Sequence, residues 1–155
     1  MNDGILRDQL VAQLEGGQAY MPVKDMLEGF PIERAGERID GIRHTPWELL
    51  EHLRIAQWDI LYFTLDPQHV TPPWPDEHWP KTTRPGSPEV WNESMAAFLN
   101  ELDQVKNMAR DPEIPLFAPI PHGSGQTYLR EILLVADHNA YHLGQLLMLR
   151  RALEA

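Results

Sequence analysis

The chain contains no cysteine. That removes disulfide frameworks, Cys-ligated zinc, iron–sulfur clusters and any thiol nucleophile of its own, and it agrees with a reducing compartment. Positive charge is scarce: 13 Lys and Arg stand against 23 Asp and Glu, a net charge of −10. A surface of that sign repels phosphate backbones and anionic lipid, so neither nucleic acid nor a membrane surface is an expected partner. Long apolar runs are missing too. Stretches such as Ile132 to Ala136 fall far short of the ~20 residues a transmembrane helix needs. The N-terminal stretch MNDGILRDQLVAQLEGGQ carries charges throughout and no apolar segment of signal-peptide length. A cytoplasmic location is therefore expected. No segment reads convincingly as a strand.

What is present has the length of one domain. With 155 residues, 43% of them hydrophobic, there is enough for a real core, and residues 1–155 read as a single all-α domain. Four segments have helical spacing. The first covers residues 3–15, with Ile5, Leu6, Leu10 and Leu14 on one side and Gly16-Gly17 closing it. A short helical piece, Val23 to Leu27, follows Pro22. The second helix opens with Thr45-Pro46-Trp47-Glu48, which reads as a capping box with Pro at the first helical position. It runs without Gly or Pro to Asp66-Pro67. The third starts at Ser87-Pro88 and reaches about Arg110; the fourth starts near Thr127 and continues to the C-terminus.

Two proline-rich connections, residues 66–88 and 111–126, separate these helices. They suit crossovers between helices that are not hairpin neighbours, as an up-down-down-up four-helix bundle requires. The alternative for residues 72–80 is a stiff lid built from Trp74, Trp79 and their prolines, since long loops are often functional.

The fourth helix is apolar on two sides. At about 100° per residue one stripe holds Leu134, Val135, His138, Tyr141, His142, Gln145, Leu146 and Leu149. The opposite stripe holds Leu129, Ile132, Leu133, Ala136, Ala140, Leu143 and Leu147. Two stripes imply burial on both sides. The second cover is either another copy of the chain, making a homodimer, or the N-terminal segment folded over; the homodimer is the favoured expectation.

Of seven histidines, only His138 and His142 have i,i+4 spacing. Such rings stand one turn apart and can close on one metal ion. Spacing alone is a weak signal. Their place in an apolar stripe strengthens it, because two adjacent buried imidazoles need many partners and a cation satisfies both. His52 on the second helix shares a side with Leu49, Ile55, Ala56, Ile60 and Phe63, so it too points inward. It would complete a tripod for a divalent ion. The plainer reading makes all three core histidines. His44 is expected in the turn before the second helix, and His69 and His78 are expected in solvent. His138 lies ~16 Å along the helix from Thr127, which places His122 out of reach.

HTPWELLEHLRIAQWDI and REILLVADHNAYHLGQLLMLRR, with WPDEHWP and PIPHGSGQT, resemble the DinB-like family, also described as YfiT-like metal-dependent hydrolases. The resemblance implies an up-down-down-up four-helix bundle, usually a homodimer. It further implies a divalent metal, most often nickel or zinc, held by His52, His138 and His142. Characterised relatives include thiol-dependent S-transferases and a thiol-dependent isomerase, so a low-molecular-weight thiol and a small-molecule substrate are the implied partners.

Three protein ligands leave a coordination position open, as catalytic sites do. The metal would then either hold a thiol as thiolate against an electrophile or make hydroxide from water for a hydrolysis. HNAYH is not HExxH, so the Glu base of zinc peptidases is missing and peptidase activity is not expected. Asp59 and Glu48 lie on the side of His52, where a carboxylate would orient a His through its second N–H. The plainer roles are pairing with an Arg and, for Glu48, capping. Glu131 stands ~10 Å down the axis from His138, too far to ligate. Tyr141 and Gln145 flank the His pair, where they would bind substrate or fill the bundle. Against an enzyme, transferase or hydrolase, stands a non-catalytic metal-binding or interaction module in which the ion only ties two helices together.

Overall fold

A computed structural model describes residues 3–155. Among them the chain is all-helical: α1 (Gly4–Glu15), α2 (Val23–Leu27), α3 (Pro46–Leu65), α4 (Pro88–Arg110) and α5 (Tyr128–Glu154), with one 3₁₀ turn at Ile32–Arg34. No strand forms among the described residues; a lone bridge joins Pro119 and Thr127.

The helix starts follow from their caps. Thr45 accepts from the backbone N–H of Glu48 while Glu48 accepts from Thr45, so both orphan donors at the head of α3 are satisfied. Ser87 and Thr127 accept in the same way from Val90 and Arg130. At the end of α1, Gly16 has φ +72°, and a Cβ there would meet Tyr20 at 2.8 Å, so only glycine fits.

α3 packs on α4 and α5, and α1 packs on the same two helices from the other side; α2 adds to α5. Trp91 and Phe98 of α4 and Leu49, Leu50, Leu53 and Leu61 of α3 are fully buried between them. One polar thread crosses this core. Asn139 of α5 donates to Gln57 of α3 (2.9 Å), and Gln57 donates to the carbonyl of Phe98 on α4 (2.7 Å). Such links favour one register, because slipping any helix leaves a buried amide unpaired.

The second stripe of α5 is covered in part from within the chain. Ile132, Ala136 and Leu143 are buried, and α1 and α2 lie on that helix. The N-terminal segment supplies that part of the cover, while Leu133 stays 46% exposed. Two stripe residues of α5 thus depart from the expected burial, Leu133 and, at 65% exposed, Tyr141. Each sits at the margin of its stripe, where the neighbouring helix no longer reaches.

Between α3 and α4, Glu51 holds Arg54 through both carboxylate oxygens (2.8 Å each) and accepts from Ser94. Glu101 faces this pair with one oxygen, Oε2, buried and unpartnered. Burial, reinforced by Glu51 and partly opposed by Arg54, pushes its carboxyl up to about 7 from an ordinary 4.5. Folding therefore takes up a proton. This contribution is fully present below the unfolded value and is lost as pH rises through the folded one. Urea titrations at about pH 5 and about pH 8 should show wild type losing more stability than Glu101→Gln over that interval, with the variant the more stable at the higher pH. The variant–wild-type difference also removes the separate pH dependence of metal binding.

Candidate metal centre

The capping box sets the rotational phase of α3, and that phase turns His52 inward to 1% exposure. On α5 the one-turn spacing stacks His138 and His142 along the facing side. The three rings form a nearly equilateral triangle, with centroids 4.8, 4.6 and 4.6 Å apart. Each offers a nitrogen within 4.8 Å of the others, and the Nε2 atoms of His52 and His138 are 3.0 Å apart.

Their partners fix the tautomers. Nδ1 of His52 faces the carbonyl of His78 (2.7 Å), which can only accept, so the proton sits on Nδ1. Nδ1 of His142 likewise faces the amide oxygen of Gln145 (2.7 Å). Both rings are left with an Nε2 lone pair. Burial pushes the imidazolium forms down, to about 4 for His52 and about 3 for His138, with the neighbouring rings adding to the effect. His142 is lowered for the same reason, partly opposed by Gln145. Three neutral nitrogen donors result. Without a cation, a single shared proton can satisfy only one Nε2–Nε2 contact. Metal–nitrogen bonds of ~2.0–2.1 Å place tetrahedral ligand atoms roughly 3.3 Å apart, close to the 3.0 Å between the Nε2 atoms of His52 and His138. The donor set fits a zinc- or nickel-type ion.

The proline-rich connection after α3 supports this triangle. The Trp79 indole lies parallel to His52 at 3.8 Å and 2°, and to His44 at 4.0 Å and 14°. Two rings that close cannot share a face, so Trp79 is held between them. His69 and His78, expected in solvent, are instead buried side chains, 7% and 4% exposed, that donate to the two oxygens of Asp59 at 2.7 and 3.1 Å. The cause is the carboxylate itself: Asp59 is 8% exposed on α3, and a buried carboxylate needs donors. Asp59 thus reaches the metal centre indirectly. It pins the ring of His78, whose carbonyl orients His52.

The other candidates separate. Glu48 is taken up by its cap and by Arg38 (3.4 Å). Glu131 is buried against Arg130 (2.6 Å). His122 bonds the carbonyl of Phe63 at 2.6 Å. Tyr141 stands edge-on to His142, 4.8 Å between centroids. Trp74 is 67% exposed and stands farther off, 6.2 Å from His52 and edge-on to His78 at 5.0 Å, while Trp79 lies directly on His52. Sequence reasoning missed His78, and WPDEHWP held the signal: a His next to a Trp in a proline-stiffened segment.

No curated protein and no solved structure matches the chain. A family profile described as the DinB superfamily matches residues 17–146, a span that includes all three histidines and the loop that orients them. By that match the chain belongs to the DinB superfamily.

Proposed function

We propose that the protein is a metal-dependent S-transferase, joining a low-molecular-weight thiol to an electrophilic small molecule at the three-histidine centre. One observation carries this. Three imidazole nitrogens converge, and no fourth His, Asp or Glu of the described residues joins the group. A structural ion would be closed by a fourth side chain, whereas an open position is the mark of a reactive one. A bound divalent cation supplies Lewis acidity that lowers the pKa of a thiol or water placed at that position.

Thiol chemistry is favoured over hydrolysis by what surrounds the rings. A metal-bound water is the weaker acid of the two, and its attack gains from a general base beside it. The two carboxylates on the His52 side of α3 are already occupied, Asp59 by two histidines and Glu48 by its cap. A thiol loses its proton far more readily. Its sulfur would displace a leaving group from carbon, with the proton released to solvent. His52 and His142 are held for this by His78 and Gln145, and the Trp79 indole excludes water from one face of His52.

The same reading places helices α1, α3, α4 and α5 in an up-down-down-up bundle, as one cytoplasmic domain. The two long connections flanking α4 and the packing of α1 on α4 and α5 support that topology. A homodimer, expected from the family resemblance, is part of the proposal.

The test is a rate comparison. Metal-loaded protein with a panel of low-molecular-weight thiols should accelerate conjugation to monochlorobimane, and His142→Ala should lose at least about 100-fold of that rate. Thiol-independent cleavage of p-nitrophenyl acetate as the dominant activity would make the protein a hydrolase. Neither activity in a chain that holds its metal would make it a non-catalytic binding module.

A further inference from the structure

Beside His142 the surface opens into a cleft of about 520 Å³ between residues 41–44 and one side of α5. Gln145, which holds His142, lines it, so the cleft adjoins the metal centre. Leu49, Tyr141 and Met148 make its walls apolar. Tyr141 and Met148 are 65% and 61% exposed, an uncovered apolar surface of the kind that marks a ligand site.

Two further features point to what fills it. Gly144 lies in the interior of α5, where glycine is the worst residue apart from proline. Nothing stands within 4 Å of where its Cβ would be, and its φ is not in the left-handed region. Neither packing nor backbone conformation asks for glycine there; what the missing side chain provides is room in the cleft. The second feature is Arg43. In a chain with 23 acids against 13 Lys and Arg, no carboxylate of the described residues pairs with it. Its neighbour Arg38 is engaged by Glu48 and by Arg43's own carbonyl, which leaves Arg43 as the free cation of the cleft.

We infer that this cleft binds the molecule on which the metal centre acts, and that this molecule has an apolar body and a single anionic group. The body lies over Gly144 between Tyr141 and Met148, and the anion is held by Arg43. The role in turnover rests on the reading of the three histidines as a reactive centre; the binding itself does not.

The probes are 3-phenylpropane-1-sulfonate and its neutral sulfonamide, chosen because a sulfonate carries charge but ligates metals poorly. Their affinities are measured by calorimetry on the full-length chain, metal-loaded and after chelation. In both states the sulfonate should bind about tenfold more tightly than the sulfonamide. Arg43→Gln, at an exposed position, should erase that preference, and Gly144→Leu should weaken both probes by filling the cleft. Absence of saturable binding, equal affinities in wild type, a preference that survives Arg43→Gln, or indifference to Gly144→Leu would each overturn the inference. A chain that takes up no metal yet discriminates between the probes would refute the S-transferase reading and leave the cleft assignment standing.

Discussion

Asp59→Ala is expected to weaken metal binding by about ten- to a hundredfold although Asp59 touches none of the three ligand rings. Its two carboxylate oxygens accept from His69 and His78, and the carbonyl of His78 accepts the Nδ1 proton of His52. Removing the carboxylate leaves two buried imidazoles without an acceptor. The segment carrying His78 and Trp79 then loses the side-chain tie that fixes His78, which loosens both the partner that sets the tautomer of His52 and the ring stacked on it. The metal-free chain should also lose about 2–4 kcal/mol, since hydrogen bonds to a charged group contribute ~1.5–3 kcal/mol each and part is recovered by water entering. Asp59→Asn keeps one acceptor and should fall between. Competition against a chromophoric chelator gives the affinity, and urea titration of the chelated protein gives the stability. An Asp59→Ala variant with wild-type affinity would show that His52 is oriented by its helix alone.

The second large effect is purely structural. Arg7→Ala is expected to cost about 3–5 kcal/mol, since each hydrogen bond from a charged donor contributes ~1.5–3 kcal/mol and entering water recovers part, a fall in Tm on the order of 10 °C for a chain of this size. Its guanidinium is 6% exposed and donates to the carbonyls of Ala109, Asp111 and Ile114 at 3.0, 2.7 and 2.8 Å, and to Asp3 at 2.8 Å. It thereby caps the C-terminal end of α4, satisfying carbonyls that have no helical partner and placing a cation at the negative end of the dipole. Lysine cannot reproduce the planar fork, so Arg7→Lys should recover less than half of the loss. Metal affinity should not change, because none of these bonds involves α3 or α5. Thermal melts of the two variants, with chelator titrations alongside, check both halves.

Arg7 also shows where reading a sequence stops. The helix limits were legible because their signals are local: Thr45, Ser87 and Thr127 cap, Pro46 and Pro88 follow, and Gly16 closes. The histidine triangle was legible although His52 and His138 are 86 residues apart, since each lies on a helix whose period fixes the direction of its side chain. The contacts of Arg7, by contrast, cross 102 residues and more to carbonyls at the end of α4 and in the irregular segment after it. His69 and His78 sit in a connection with no period, so nothing in their spacing turned them toward Asp59. The two apolar stripes of α5 are buried along most of their length, with Leu133 and Tyr141 exposed at their margins. Which partner covered the second depended on where residues 16–45 led the chain, and that path has no repeating pattern to follow.

The most direct measurement is metal content per chain on protein purified without a histidine tag, wild type beside His138→Ala. Wild type should carry about one zinc or nickel ion per chain and the variant close to none, since two imidazoles hold such an ion far less tightly than three. A wild-type chain that stays metal-free after dialysis against zinc and nickel, or a variant that keeps its ion, would contradict the three-histidine centre.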